Sequence, residues 1–92
     1  MKLEIIRSQL IEGKALRWHY RAHLVSLYHH IKQVQVGMSR AGRGHHGWSI
    51  RDTSKDLQMS IGSVHNYLKL EDAAMKNPAL KKLSLKRALA SL

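Results

Sequence analysis

Gly47–Leu70, GWSIRDTSKDLQMSIGSVHNYLKL, decides the fold: it reads as two short helices joined by a tight turn. Ser49-Ile50-Arg51-Asp52 has the form of a capping box, in which the serine hydroxyl accepts from the Asp52 amide and the carboxylate reaches back. Asp is a shorter stand-in for the usual Glu or Gln, so the box is weaker than ideal. Ile50, Thr53, Ser54 and Leu57 then recur at helical spacing and give a narrow inward face. Gln58-Met59-Ser60 is the expected turn, with Met59 directed into the core. Ser60 suits the N-cap of a second helix. There Ile61, Val64 and Leu68 face inward with Tyr67 at their edge. At about 100° per residue, Gly62, Ser63, His65, Asn66 and Lys69 fall on the other faces.

Those outward side chains are short, polar or basic, as contact with a nucleic-acid groove requires. Ser60, Ser63, His65 and Asn66 offer donors and acceptors, Gly62 permits close approach, and Lys69 and Arg51 can reach phosphates. The run Trp48-Ser49-Ile50-Arg51-Asp52-Thr53, followed by Leu57, Ser60, Gly62, Val64, Leu68 and Leu70, resembles the helix-turn-helix of small phage and plasmid DNA-binding proteins. The central DNA-binding segment of ParB-like partition proteins is among them. The resemblance covers about a quarter of the chain, carries no catalytic residue and does not extend to the large N-terminal domain of ParB-like proteins. It implies a second motif helix, 61–70, that enters the major groove of double-stranded DNA. Two residues depart from the pattern. Ser54 stands where Ala is usual, a mild change. Gln58 stands where Gly is usual, and a left-handed Gln costs about 1 kcal/mol.

Charge points the same way. Sixteen Lys and Arg against six Asp and Glu give a net charge of +10. No acid occurs between Glu12 and Asp52, an interval holding Lys14, Arg17, Arg21, Lys32, Arg40, Arg43 and Arg51. Such an excess favours approach to a polyanion. Charge alone separates nucleic acid from an anionic membrane surface only weakly, and the two-helix motif decides for nucleic acid.

The whole chain reads as all-α: a small helical domain with a central helix-turn-helix and an N-terminal helical region. Residues 1–36 form that region. Leu3, Ile6 and Leu10 make one apolar stripe, and Tyr20, Leu24, Leu27, Ile31 and Val34 another, in the same heptad frame. Gly13 and Arg17 interrupt the frame, which favours a break at Glu12-Gly13 over one long helix. The second stripe suits either a homodimer seam or packing against the DNA-binding unit. Residues 37–47, GMSRAGRGHHG, form a basic Gly-rich loop, expected to lay Arg40, Arg43, His45 and His46 along DNA as an arm. Its glycines do not match a phosphate-binding P-loop. Residues 48–92 form the DNA-binding unit and C-terminal helices. Asn77-Pro78 marks a stop and restart, with Asn77 able to cap. Ser84 suits the cap of a last short helix carrying Leu85, Ala88, Leu89 and Leu92 on one side.

Several classes are disfavoured. With no cysteine, disulfides and thiolate metal sites are excluded. His19 and His23 have metal-compatible spacing but no third ligand at a matching position, so no metal or cofactor is expected. Glu4, Glu12, Asp52 and Asp56 form no acid–base constellation, and no nucleophile–base signature occurs, so no enzyme or small-molecule substrate is expected. No apolar run approaches the ~18 residues that span a bilayer. Lys2 and Glu4 do not open a signal peptide. The expectation is a cytoplasmic, nucleoid-associated regulator of transcription that works as a homodimer or higher homo-oligomer. The alternatives are a DNA-binding part of a phage packaging or virion complex, an RNA adaptor, and a protein-binding module.

Overall fold

The computed structural model describes residues 3–13, 17–37 and 47–92. Five α-helices follow in order: α1 (Leu3–Glu12), α2 (Trp18–Val36), α3 (Ile50–Leu57), α4 (Ile61–Lys76) and α5 (Leu85–Ala90), with a 3-10 helix (Pro78–Lys82) between the last two. No strand occurs among the described residues, and the all-α expectation is met.

The N-terminal region is two helices. Gly13 ends α1, and the break is held from outside: the Arg21 guanidinium donates to Leu10 O (3.1 Å) and Gly13 O (2.7 Å). A cation over a helix C-terminus satisfies carbonyls that have no partner within the helix. Arg7 does the same for α3, its Nε donating to Asp56 O at 2.8 Å.

Helix α4 joins two clusters of buried side chains. Ile6, Leu10, Leu24, Val25, Tyr28, Leu57 and Val64 bring α1, α2 and α3 onto its first half. Trp18, Ala22, Leu70, Ala74 and Ala88 bring the start of α2 and α5 onto its second half. Small residues (Ala22, Ala74, Ala88) let these helices approach closely around Trp18, whose Nε1–H donates to Leu83 O at 2.7 Å. The α2 stripe is largely consumed inside the fold. Leu24 is fully buried, and Leu27 and Ile31 pack on the first cluster, which leaves only Tyr20 and Val34 well exposed at the stripe's ends. Of the two uses open to that stripe, packing against the central unit is the one realised.

The structure corrects three local expectations. Ile61 is 46% exposed, because the first position of α4 projects beyond the cluster that Val64 fills. Asn77 does not cap with its side chain, and Pro78 opens a 3-10 rather than an α-helix. Leu92, beyond the last helical turn, is exposed. Ser84 does cap α5, accepting from the Arg87 amide.

The turn between α3 and α4 is tight because Gln58 adopts the left-handed conformation (φ 56°, ψ 44°), the one non-glycine residue among those described with positive φ. The Met59 amide then bonds back to Ser54 O at 3.0 Å, and Met59 packs on the first cluster. Gln58 is exposed, so its side chain does not offset the strain. Gln58→Gly should therefore raise stability by about 0.5–1 kcal/mol, the strain relief exceeding glycine's greater unfolded-state entropy. A higher urea midpoint with an unchanged m-value would show it.

Candidate nucleic-acid interface

The outer surface of α3, the turn and α4 holds most of the residues picked from the sequence. Its local geometry begins at Trp48. The capping box forms in full: the Asp52 amide donates to Ser49 Oγ (3.3 Å), and both the Ser49 amide (2.9 Å) and hydroxyl (3.0 Å) donate to Asp52 Oδ2. Hydrogen bonding from the Ser49 backbone holds the Asp52 carboxyl below its ordinary pKa. The cap is thus present near neutrality and is lost only as acid protonates the group.

One turn further on, Thr53 is buried and tied to two elements. Trp48 Nε1–H donates to its Oγ at 2.6 Å, and the same hydroxyl meets His29 Nδ1 of α2 at 2.7 Å. Indole can only donate, so the hydroxyl accepts from Trp48 and is free to donate to His29. Burial, with a smaller contribution from neighbouring His30, lowers the His29 pKa and keeps the ring neutral. A neutral ring accepting at Nδ1 carries its proton on Nε2. Tyr28, one residue earlier, donates to Asp56 Oδ2 at 2.6 Å, and burial together with that bond raises its pKa. Lys32 lies 5.0 Å from the Trp48 ring centroid, a cation–π contact. Helix α2 thus fixes both ends of α3.

Ser60 caps α4, accepting from the Ser63 amide (3.0 Å) and donating to Ser63 Oγ (2.8 Å). Gly62, His65, Asn66 and Lys69 are exposed, as are Arg51 and Lys55 on α3. Ser63 is different: it is half-buried and turned toward α5, where with Asn66 it lines a small cleft against Leu85 and Leu89. His65 and Lys69 lie on the opposite edge. With His29, His30 and Gln33 they line an open groove of about 470 Å³ between α2 and α4, which also reaches Glu71 and Asp72. The basic surface therefore covers the first half of α4 and ends where the acids begin.

Gly62 is not demanded by the fold. A Cβ built on it would meet nothing within 4 Å, and its φ is not in the left-handed range. Arg51, Lys55 and Lys69 take no part in the ion pairs among the described residues, which are His23–Glu71 (3.1 Å) and Lys76–Asp72 (3.5 Å). Sequence spacing gave His23 no acidic partner, because Glu71 comes from α4. Among the described residues no three His, Asp or Glu side chains group as a metal site would require. Nor is any helix among them long and apolar enough to cross a membrane.

Arg40, Arg43, His45 and His46, expected to form an arm, lie outside the described residues. The flanking residues are described: the Trp48 amide donates to Gly37 O at 2.7 Å, which ties the end of α2 to the residues that open α3. Gly37 holds φ at 108°, a conformation open to glycine and rare for other residues.

The fold defines a small all-α protein in which α3 and α4 meet at a tight turn. No family model, curated protein or solved structure matches the chain.

Thr53→Val should cost about 1–3 kcal/mol by leaving the indole N–H and the imidazole without their shared partner. The His29 linkage has a definite sign. Below the ordinary 6.5 the unfolded chain's imidazole takes up a proton that folded His29 resists, so stability falls as pH drops through that range. Urea unfolding at pH 7 and pH 5 should show a smaller pH-dependent loss in His29→Gln than in the parent chain.

Proposed function

We propose that this chain binds double-stranded DNA, with the first half of α4 in the major groove. The observation that carries this reading is the outer face of α4. Gly62, His65, Asn66 and Lys69 stand exposed there, bounded by the first acids at Glu71 and Asp72, while Arg51 and Lys55 are exposed on the preceding helix α3. His65 and Asn66 have the donor and acceptor groups to read base edges. Lys69, Arg51 and Lys55 hold phosphates, and the Ser60-capped start of α4 presents backbone amides to one more. Ser63, already bonded to Ser60, is a weaker candidate for reading bases. The net charge of +10 and the resemblance of Trp48–Leu70 to phage and plasmid helix-turn-helix segments support the same reading. Regulation of transcription is the use such a module suits best. Pairing of two copies on a two-fold site belongs to the reading as well, through a surface other than the α2 stripe.

Gly62 gives the sharpest support. Glycine in an exposed first helical turn with open space around it lowers stability by a few tenths of a kcal/mol up to about 1 relative to alanine. A partner backbone or base approaching that turn would account for its use. Gly62→Ala should therefore unfold at higher denaturant while binding duplex DNA more weakly. If Gly62→Ala gains stability and keeps full affinity, α4 does not enter the groove at this turn.

The direct test is fluorescence anisotropy against duplex DNA, single-stranded DNA and duplex RNA across a salt series. Duplex DNA should bind tightest, with a steep salt slope. That slope should fall by about 0.9 for Arg51→Ala or Lys69→Ala. Asn66→Ala should relax site preference by about 1–3 kcal/mol in a selection experiment. Equal, weak binding to all three would make the charge generic and turn attention to a protein partner.

A further inference from the structure

The C-terminal twenty residues, Ala73–Leu92, contain five cations and no acid: Lys76, Lys81, Lys82, Lys86 and Arg87. All five are exposed, and only Lys76 joins an ion pair among the described residues. Such a run is ordinarily a solvated face. Here its placement separates its members.

Helix α5 lies along the middle of α4, from Ser63 to Ala74. Ala88 goes deepest, against Trp18, Ala22, Leu70 and Ala74. Leu85 and Leu89 close the cleft with Ser63, Asn66, Tyr67 and Leu70. Around the axis of α4, α3 packs on the side of Val64 and Leu68, and α5 on the side of Ser63 and Leu70. The exposed face carrying Gly62, His65 and Lys69 opens between them. On α5 itself, Lys86 follows Leu85 by about 100° and stands about 60° from Leu89, on the far side from buried Ala88. It therefore projects outward at the lip formed by Leu85 and Leu89, which close the cleft with Ser63 and Asn66. Arg87, about 100° from Ala88 on the other side, points away from that lip. Lys81 and Lys82 lie in the 3-10 helix that precedes α5, where they line a shallow depression with Arg17, Trp18 and His19. Helices α2 and α4 run antiparallel, with His23 at Glu71 and His30 beside His65 and Lys69, so that depression lies toward the end of α4 remote from Gly62.

We propose that α5 is a second phosphate-contacting edge of the DNA interface and that Lys86 is its contacting group. This rests on the DNA-binding reading above and adds to it. Arg51 and Lys55 on α3 hold the backbone on one side of the groove that α4 occupies, and Lys86 holds it on the other. The fold does not need this lysine. It is exposed at the second residue of a helix whose packing uses Leu85, Ala88 and Leu89, and alanine there is the better helix former.

The absence of cysteine makes the test direct. Single cysteines at positions 69, 82 and 86, written Lys69→Cys, Lys82→Cys and Lys86→Cys, are coupled to an iron chelate that generates hydroxyl radicals. Each is then incubated with a short end-labelled duplex. Scission is expected from positions 69 and 86 and not from 82. In parallel, Lys86→Ala should lower the salt slope of duplex binding by about 0.9 and leave sequence preference unchanged, while Lys82→Ala leaves the slope as it was. Scission from 69 without scission from 86, or an unchanged slope in Lys86→Ala, overturns the α5 contact and leaves the DNA reading standing. No binding by the parent chain overturns both.

Discussion

The Thr53 hydroxyl is the constraint on which the arrangement of this molecule depends. One oxygen accepts from the Trp48 indole and bonds the His29 imidazole, so the entry to α3, its second turn and the middle of α2 are set together. Apolar packing alone would leave α3 free to slide, because an eight-residue helix with a narrow inward face has little area to resist it. Directional bonds at 2.6 and 2.7 Å remove that freedom. Asp56 extends the seam by one turn, its side chain accepting from Tyr28 and its carbonyl from Arg7. With α3 locked to α2, the turn through Gln58 determines where α4 emerges and which of its faces looks outward.

The cations divide by what they do. Arg7 and Arg21 complete helix ends, and Lys32 sits over the Trp48 ring. These three contribute to the net charge without being free to serve a partner. Arg51, Lys55, Lys69, Lys81, Lys82, Lys86 and Arg87 are exposed and make no ion pair among the described residues. A chain this basic is destabilised by self-repulsion. Engaging Arg7, Arg21 and Lys32 with backbone carbonyls and an aromatic face gives part of that charge a structural role.

Much of this was legible in the sequence, and the reason is local. Ser49 and Asp52, Ser60 and Ser84 announce helix starts through hydrogen bonds that span three residues, and each of them forms. The break at Gly13 and the run of α4 to Lys76 follow from glycine, asparagine and proline chemistry of the same short range. What could not be read depends on the meeting of distant elements. Thr53 looked like one more small inward residue, since nothing in sequence marks His29 as its partner. Arg21 counted as free charge until α2 folded back over α1. Ser63 shared a helical face with the proposed reading set on spacing alone, and only the docking of α5 turned that side of α4 inward. Lys86 is set apart only by that same docking, among lysines that no periodicity separates.

Two residues break local rules, and they stand within one turn of each other. Gln58 holds a left-handed conformation that glycine would take at no cost, and Gly62 occupies an exposed helical position that alanine would serve better. Each choice lowers stability, and no contact inside the fold compensates either. In a chain whose other local choices agree with its architecture, such conflicts are expected where something beyond the fold sets the residue. Both flank Ser60, at the end of α4 where backbone amides face outward and the surrounding side chains are basic. On the proposed DNA-binding reading, a long polar side chain at the tip of the turn and an absent one on the first turn of the helix are complementary demands of a single contact. One reaches a surface, and the other lets it come close. On that reading the pairing puts the partner at the N-terminal end of α4, not along its whole length, in keeping with the acids that close the face at Glu71 and Asp72.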